Sequence, residues 1–113
     1  MNENAKKWVA ALRSGEYPQT KKCLQDKNGF CCLGVACDLY QKEVGGIDID
    51  SRGFIDGSEY GQVLPHEVMG WLGLRTKDGS ITIEQRLSLY NDEGKSFSEI
   101  SDIIESEPAG LFL

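Results

Sequence analysis

The chain has 113 residues, of which 40% are hydrophobic and 27% charged, and its formal net charge is −6. This length suits one core and leaves no room for two, so residues 1–113 are expected to form a single domain. An acidic chain is repelled by phosphate backbones, which disfavours binding to duplex nucleic acid. No apolar run is long enough to cross a membrane and no secretory signal is recognisable, so we expect a cytoplasmic protein whose four cysteines are reduced.

The first predicted element is an amphipathic helix near the start of the chain. Its apolar residues follow the i, i+3, i+4, i+7 spacing of one helix face: Ala5, Trp8, Val9 and Leu12. Asn2 or Asn4 supplies a side chain that can cap the start, and Gly15 suits the end.

A hairpin and a second helix are predicted next. Residues 20–32 read as a short hairpin around Asn28-Gly29, a dipeptide that tolerates the backbone angles of a tight turn. The helix is predicted over Cys32–Glu43, with a stop at Gly45-Gly46. Its apolar face has helical spacing: Cys32, Val35, Ala36 and Leu39.

The middle of the chain predicts a strand pair followed by a short helix. Phe54-Ile55 and the residues from Tyr60 to Leu64 could pair across an Asp-Gly-Ser turn. Pro65 suits the first turn of a helix, and Gly73 suits its end. The apolar residues of that helix are Val68, Met69, Trp71 and Leu72.

Residues 80–90 are ambiguous, whereas the last helix is clear. The alternation of Ile81, Ile83, Leu87 and Leu89 favours a strand at the start of this segment, and Thr82 with Gln85 offers a capping box as the alternative. Further on, Ser96 and Glu99 form a capping box ahead of an apolar stripe, so a helix is predicted there, closed by Pro108. The whole pattern predicts an α+β domain in which three to four short helices pack on a small antiparallel sheet.

One segment resembles a calcium-binding EF-hand loop. Asp48, Asp50, Asp56 and Glu59 occupy ligand positions of that loop. Arg52 stands at another ligand position, where its guanidinium would oppose a dication, and glycines and Pro65 interrupt the flanking helices. An acidic turn in a hairpin is therefore the favoured interpretation, and no cofactor or metal is predicted.

The four cysteines lack zinc-site spacing, since none are arranged as C-x2-C. A thiol hydrolase is the better catalytic hypothesis, because Cys32 would lie at a helix N-terminus with His66 as its base. The string from Phe30 to Val35 faintly resembles the nucleophile helix of NlpC-like cysteine peptidases. Nothing suggests a residue to orient His66, so buried core positions are the favoured role for the cysteines.

Four blocks carry a wider resemblance and cover most of the chain. They run from Trp8 to Tyr17, from Gly29 to Asp38, from Leu64 to Leu74, and from Tyr90 to Ile100. In this order they resemble a family of small, largely uncharacterised bacteriophage proteins. The resemblance implies a phage accessory protein in the cytoplasm of an infected bacterium, where such proteins often counter host defence.

Two binding hypotheses follow from this setting. In the first, the protein sequesters a small molecule or nucleotide signal, as a homo-oligomer with its sites between subunits. The candidate ligand residues are Arg13, Tyr17, Gln19, Thr20, Lys21, Lys22, Asn91, Asp92 and Ser96. In the second, it masks a host defence protein with an acidic face; the candidates are Asp38, Glu43, Asp48, Asp50, Asp56 and Glu59. The prediction is therefore a stoichiometric binding protein, with a slight preference for the small ligand and a cysteine hydrolase as the alternative.

Overall fold

The computed structural model of the protein describes residues 1–46 and 63–113. Its helices and strands, in chain order, are α1 (Glu3–Arg13), β1 (Gln25–Asp26), β2 (Gly29–Phe30), α2 (Cys32–Glu43), α3 (His66–Leu72), α4 (Leu87–Asp92) and α5 (Phe97–Glu105). None of these helices is long and apolar enough to cross a membrane. The described part of the chain is thus dominated by helices.

The helices pack mainly on one another. Helix α1 contacts α5, α2 and α3, and α4 contacts both α2 and α5. The described strands form one antiparallel hairpin with two residues in each strand. The predicted helices are present, five of them in the described residues instead of three to four, and they enclose the core. The predicted sheet on which they would pack is not confirmed, because the described strands form only the hairpin. The predicted strand at Phe54-Ile55 lies outside the described residues.

Helix α1 forms as its sequence predicts. Asn2 is the N-cap, and its side-chain oxygen accepts a hydrogen bond from the backbone N–H of Ala5 at 2.8 Å. The four apolar residues predicted for the core face are all buried. On that face the indole N–H of Trp8 donates to the backbone carbonyl of Cys32 at 2.8 Å, so α1 is fixed to the start of α2.

The hairpin leads directly into α2. Its turn is formed by Lys27 and Asn28, with Asp26 paired to Gly29. Helix α2 then spans the predicted Cys32–Glu43, and its N-cap is Cys31, whose sulfur accepts from the backbone N–H of Gly34.

The hairpin backbone packs closely on the first turn of α2. A methyl group at Gly34 would overlap the backbone carbonyl of Leu24. Only glycine fits at this contact without a backbone shift, because no side-chain movement can relieve it.

Residues 80–86 correct the strand prediction. Only Ser80 and Arg86 form a bridge, and a helix, α4, begins at Leu87. Thr82 does accept a hydrogen bond from the backbone N–H of Gln85 at 3.1 Å, but this contact closes a turn and starts no helix. Helices α3 and α5, in contrast, form where they were predicted, and the capping box of Ser96 with Glu99 is present.

Candidate functional site

A fully buried asparagine, Asn91, connects three parts of the chain near the end of α4. Its side-chain oxygen accepts from the side-chain amide of Gln19 at 2.8 Å and from the backbone N–H of Cys32 at 3.2 Å. Its side-chain amide donates to the backbone carbonyl of Thr20 at 2.8 Å. Because buried polar groups cost free energy unless they are paired, these bonds hold residues 19–20 and the start of α2 against α4.

Two further bonds extend this network. The amide of Gln19 also donates to the backbone carbonyl of Lys95 at 2.8 Å. The carboxylate of Asp92 accepts from the backbone N–H of Lys22 at 2.7 Å. Lys22 adopts a positive φ of 67°, which turns the chain at this contact. The structure thus brings together five of the nine predicted ligand residues, namely Gln19, Thr20, Lys22, Asn91 and Asp92.

The network places lysine side chains around the turn after α4. Lys21 is exposed, and its ammonium lies 3.7 Å from where a Cβ on Gly94 would be. The ammonium of Lys95 lies over the ring of Tyr90, 5.5 Å from its centroid. We call Lys21, Lys22, Lys95 and Tyr90 the lysine surface. Lys95 and Tyr90 were absent from the predicted site. Gly94, the glycine that follows α4, was the sequence signal that could have indicated them.

Arg13 has a structural contact of its own. Its Nε donates to the hydroxyl of Ser101 at 3.0 Å. Its guanidinium pairs with Asp102 at 2.7 Å and also with Glu105. These contacts link α1 to α5, so the structure does not bring Arg13 into the network of Asn91.

Tyr17 and Ser96 are also occupied within the fold. The hydroxyl of Tyr17 donates to the carboxylate of Asp38 at 2.5 Å. The pKa of Tyr17 is raised mainly by burial of its side chain and secondly by this hydrogen bond to Asp38. Ser96 caps α5, where its hydroxyl accepts from the backbone N–H of Glu99 at 3.1 Å.

The environment of Cys32 does not favour a nucleophile. The side chain is fully buried, and burial raises the pKa of its thiol well above the usual value. Near the start of α2, the N–H groups of Cys32 and Gly34 are bound by Asn91 and by the sulfur of Cys31. The backbone hydrogen bonds that lower the pKa of Cys32 are outweighed by its burial. The predicted base, His66, is exposed at the start of α3.

Metal and acidic-face candidates fall largely outside the described residues. The calcium candidates Asp48, Asp50, Asp56 and Glu59 all lie within residues 47–62, where the structure gives no description. Elsewhere in the chain, no group of three or more His, Cys, Asp or Glu side chains is arranged to hold a metal ion.

The two described members of the predicted acidic face have cationic partners. Asp38 pairs with Lys42 at 2.9 Å, and Glu43 pairs with Lys7 at 2.9 Å. The lysine partners offset the charge of the two carboxylates. The described part of the predicted acidic face is therefore less negative than a surface that mimics DNA would need to be.

The comparisons with known proteins identify a domain family. The chain matches the sequence model of DUF8296, a domain of unknown function, over residues 1–108. No curated protein and no solved structure matches it significantly. The matched range covers α1 to α5, including the network of Asn91 and the lysine surface. The chain therefore belongs to the DUF8296 family.

Proposed function

We propose that this protein acts by stoichiometric binding, and that its ligand is an anionic small molecule such as a nucleotide signal. One observation carries the proposal. Two polar segments that are 70 residues apart in sequence meet at the contact between Lys22 and Asp92. This contact and the bonds of Gln19 hold the lysine surface together on the outside of the fold.

The chemistry of the lysine surface suits an anion. An ammonium group is a compact charge with three hydrogen-bond donors and is a common partner of phosphate oxygens. Lys21 supplies one such group close to the exposed Gly94, which presents backbone without a side chain, and Lys95 supplies a second over the ring of Tyr90. The half-buried ring of Tyr90 offers a face for contact with a base. Three lysines beside Asp92 and Glu93 make this place more positive than the chain as a whole, whose net charge is −6, and so favour anions there.

The biological setting of the proposal comes from the resemblance to small bacteriophage proteins. We propose an accessory protein in the cytoplasm of an infected bacterium, where sequestering a nucleotide signal would counter host defence. Such a role requires no turnover, in keeping with the inaccessible and protonated thiol of Cys32. A homo-oligomer with ligand between subunits belongs to the same proposal.

A thermal-shift panel tests the ligand. The panel contains mono-, di- and cyclic nucleotides with inorganic phosphate, and each hit is followed by calorimetry for affinity and stoichiometry. A ligand at 100 times its dissociation constant stabilises the fold by about 2.7 kcal/mol, which is readily measured. We expect one nucleotide class to shift the melting temperature and to remain unmodified after incubation.

Matched lysine variants locate the binding site. Lys21→Gln combined with Lys95→Gln should weaken binding at least about tenfold, the loss that corresponds to about 1.4 kcal/mol. Lys77→Gln removes another exposed lysine and should leave affinity unchanged. A panel without any shift, or full affinity in the double variant, would refute binding at the lysine surface. Consumption of the ligand would instead favour the hydrolase alternative.

A further inference from the structure

The turn between α3 and α4 is held in a defined shape by its own hydrogen bonds. The backbone N–H groups of Ile81 and Thr82 both donate to the carbonyl of Gln85, at 2.7 and 3.2 Å. The hydroxyl of Thr82 accepts from the N–H of Gln85 at 3.1 Å. Ser80 and Arg86 close the base of the turn as a bridge. The segment is therefore a fixed projection from the helical body.

The base of this projection is also anchored to the rest of the protein. The side chain of Ile81 packs against the core. The backbone N–H of Ser80 donates to the hydroxyl of Thr76 at 2.7 Å, and the hydroxyl of Ser80 donates to the carboxylate of Asp78 at 2.6 Å. Ile81 thus holds the base of the turn against the core, and the bonds of Ser80 hold the segment that precedes it.

An isoleucine stands at the tip. Ile83 is 93% exposed, more than any other large apolar side chain in the described residues. Singly exposed apolar residues are ordinary on protein surfaces. Ile83 differs in position, because tight turns favour Gly, Asn, Asp, Pro and Ser, which either permit or stabilise the turn. An isoleucine offers neither advantage, and here it makes no core contact that would compensate.

We propose that Ile83 anchors this chain to a protein partner that has an apolar pocket with a basic rim. The apolar pocket is indicated by the exposed aliphatic side chain on a turn whose backbone is hydrogen-bonded. The basic rim is indicated by Glu84, the exposed neighbour of Ile83, which forms no ion pair with any described cation. The net charge of −6 favours the same kind of partner at long range. This contact goes beyond the proposed ligand binding and uses none of the residues of the lysine surface.

Site-specific photo-crosslinking identifies the partner. The full chain carries benzoylphenylalanine in place of Gln85, an exposed residue two positions from Ile83, so that the isoleucine itself is kept. A matched chain carries it in place of Glu67, which is exposed on α3. Both are irradiated in bacterial lysate at low salt. We expect one protein to crosslink from position 85 and not from position 67, and this capture supports the proposal only together with the affinity measurements below. Identical products from the two positions, or no product from position 85, would overturn the proposal.

Affinity measurements with the purified crosslinked protein then test the chemistry. Ile83→Ser should weaken binding about ten- to a hundredfold, as expected when one aliphatic side chain no longer fills a pocket, whereas Ile83→Leu should change it less than about threefold. Glu84→Lys should weaken binding about tenfold at low salt and less at high salt. Unchanged affinity in Ile83→Ser would overturn the assignment of the anchor. Sedimentation of the wild-type chain tests for self-association. If the wild-type chain self-associates and Ile83→Ser abolishes this, the proposal of a different protein partner is overturned, because Ile83 would then bind a second copy of the chain.

Discussion

At the scale of single residues, Asn91 shows how a polar side chain becomes part of the core. Its oxygen accepts two hydrogen bonds and its amide donates one, all to groups from other segments. No solvent reaches the side chain, and its bond to the backbone N–H of Cys32 pairs a buried donor at the start of α2. The amide of Gln19, in contrast, has a second acceptor in the carbonyl of Lys95. The residue therefore determines both the stability of the fold and the position of the lysine surface.

Replacing Asn91 by leucine should lower the free energy of unfolding by about 2–4 kcal/mol, because unpaired buried donors and acceptors each cost about 1–3 kcal/mol. Urea unfolding measures this change. Asn4→Leu is the matched control, since Asn4 makes a single hydrogen bond to the carbonyl of Trp71 and is only half-buried. A loss for Asn91→Leu no greater than for Asn4→Leu would contradict the central role of the buried amide.

Sequence patterns identified some of these residues but not their contacts. Gln19, Thr20 and Asn91 were predicted as ligand-binding groups because they lie in two polar segments of the chain whose side chains could bind a ligand. In the structure they bind one another, which no spacing rule indicates. The role of Cys31 was missed for a related reason: helix N-caps are usually Ser, Thr, Asp, Asn or Gly, whereas here a thiol accepts the bond.

At the scale of elements, prediction worked where one helix face is buried over several turns. Helices α1, α2 and α5 have such faces, and their predicted apolar residues lie in or against the core. Helix α4 was missed because it spans only six residues. The alternating apolar residues before it did not mark one buried face, since Leu87 is buried whereas Ile83 is almost fully exposed.

Glycine substitutions test how closely the hairpin packs on α2. Alanine normally stabilises a helix interior by about 0.5–1 kcal/mol relative to glycine. Gly70→Ala in α3 should show this gain, because nothing lies within 4 Å of the added methyl group. Gly34→Ala should instead destabilise the protein by more than about 2 kcal/mol, since its methyl group meets the carbonyl of Leu24.

Thermal or urea unfolding of the two variants gives the comparison directly. The opposite signs are the informative result, because the same chemical change is made in two helices. Equal stabilisation by both alanines would show that the approach of Leu24 to Gly34 is looser than described.

At the scale of the whole molecule, the order of packing differs from the order along the chain. The first helix, α1, packs against the last, α5, and Arg13 joins them through Asp102 and Glu105. The sequence indicated the hairpin and four of the five described helices, all but α4, but nothing in it indicated that the helices would enclose the core themselves. Which faces meet depends on contacts between distant segments, and local periodicity carries no information about them.

The buried thiols make the stability of the whole fold sensitive to alkaline pH. Burial raises the pKa of Cys31 to about 12 and also raises those of Cys32 and Cys37. Because the folded state holds these protons more tightly than the unfolded state, their contribution is complete below the unfolded thiol pKa, near 9, and is lost as the pH rises towards 12. We expect the free energy of unfolding to fall across this range.

Urea unfolding between pH 7.5 and 10.5 measures this loss, and Cys31→Ser is the matched variant. Serine keeps a side chain that can cap α2 but does not ionise in this range. Its alkaline loss should therefore be smaller than that of the wild type. An identical loss in both proteins would exclude Cys31 as its source and would assign the effect to Cys32 and Cys37 or to other titrating groups.

The contact between Trp8 and the carbonyl of Cys32 also gives the protein an intrinsic optical probe. Trp8 is fully buried between α1 and α2, whereas Trp71 is partly exposed on α3 and lies edge-on to Tyr40. The two indoles therefore emit from environments of different polarity. With Trp71→Phe, the remaining fluorescence would report only the core, so loosening there could be followed separately from changes at the surface of α3.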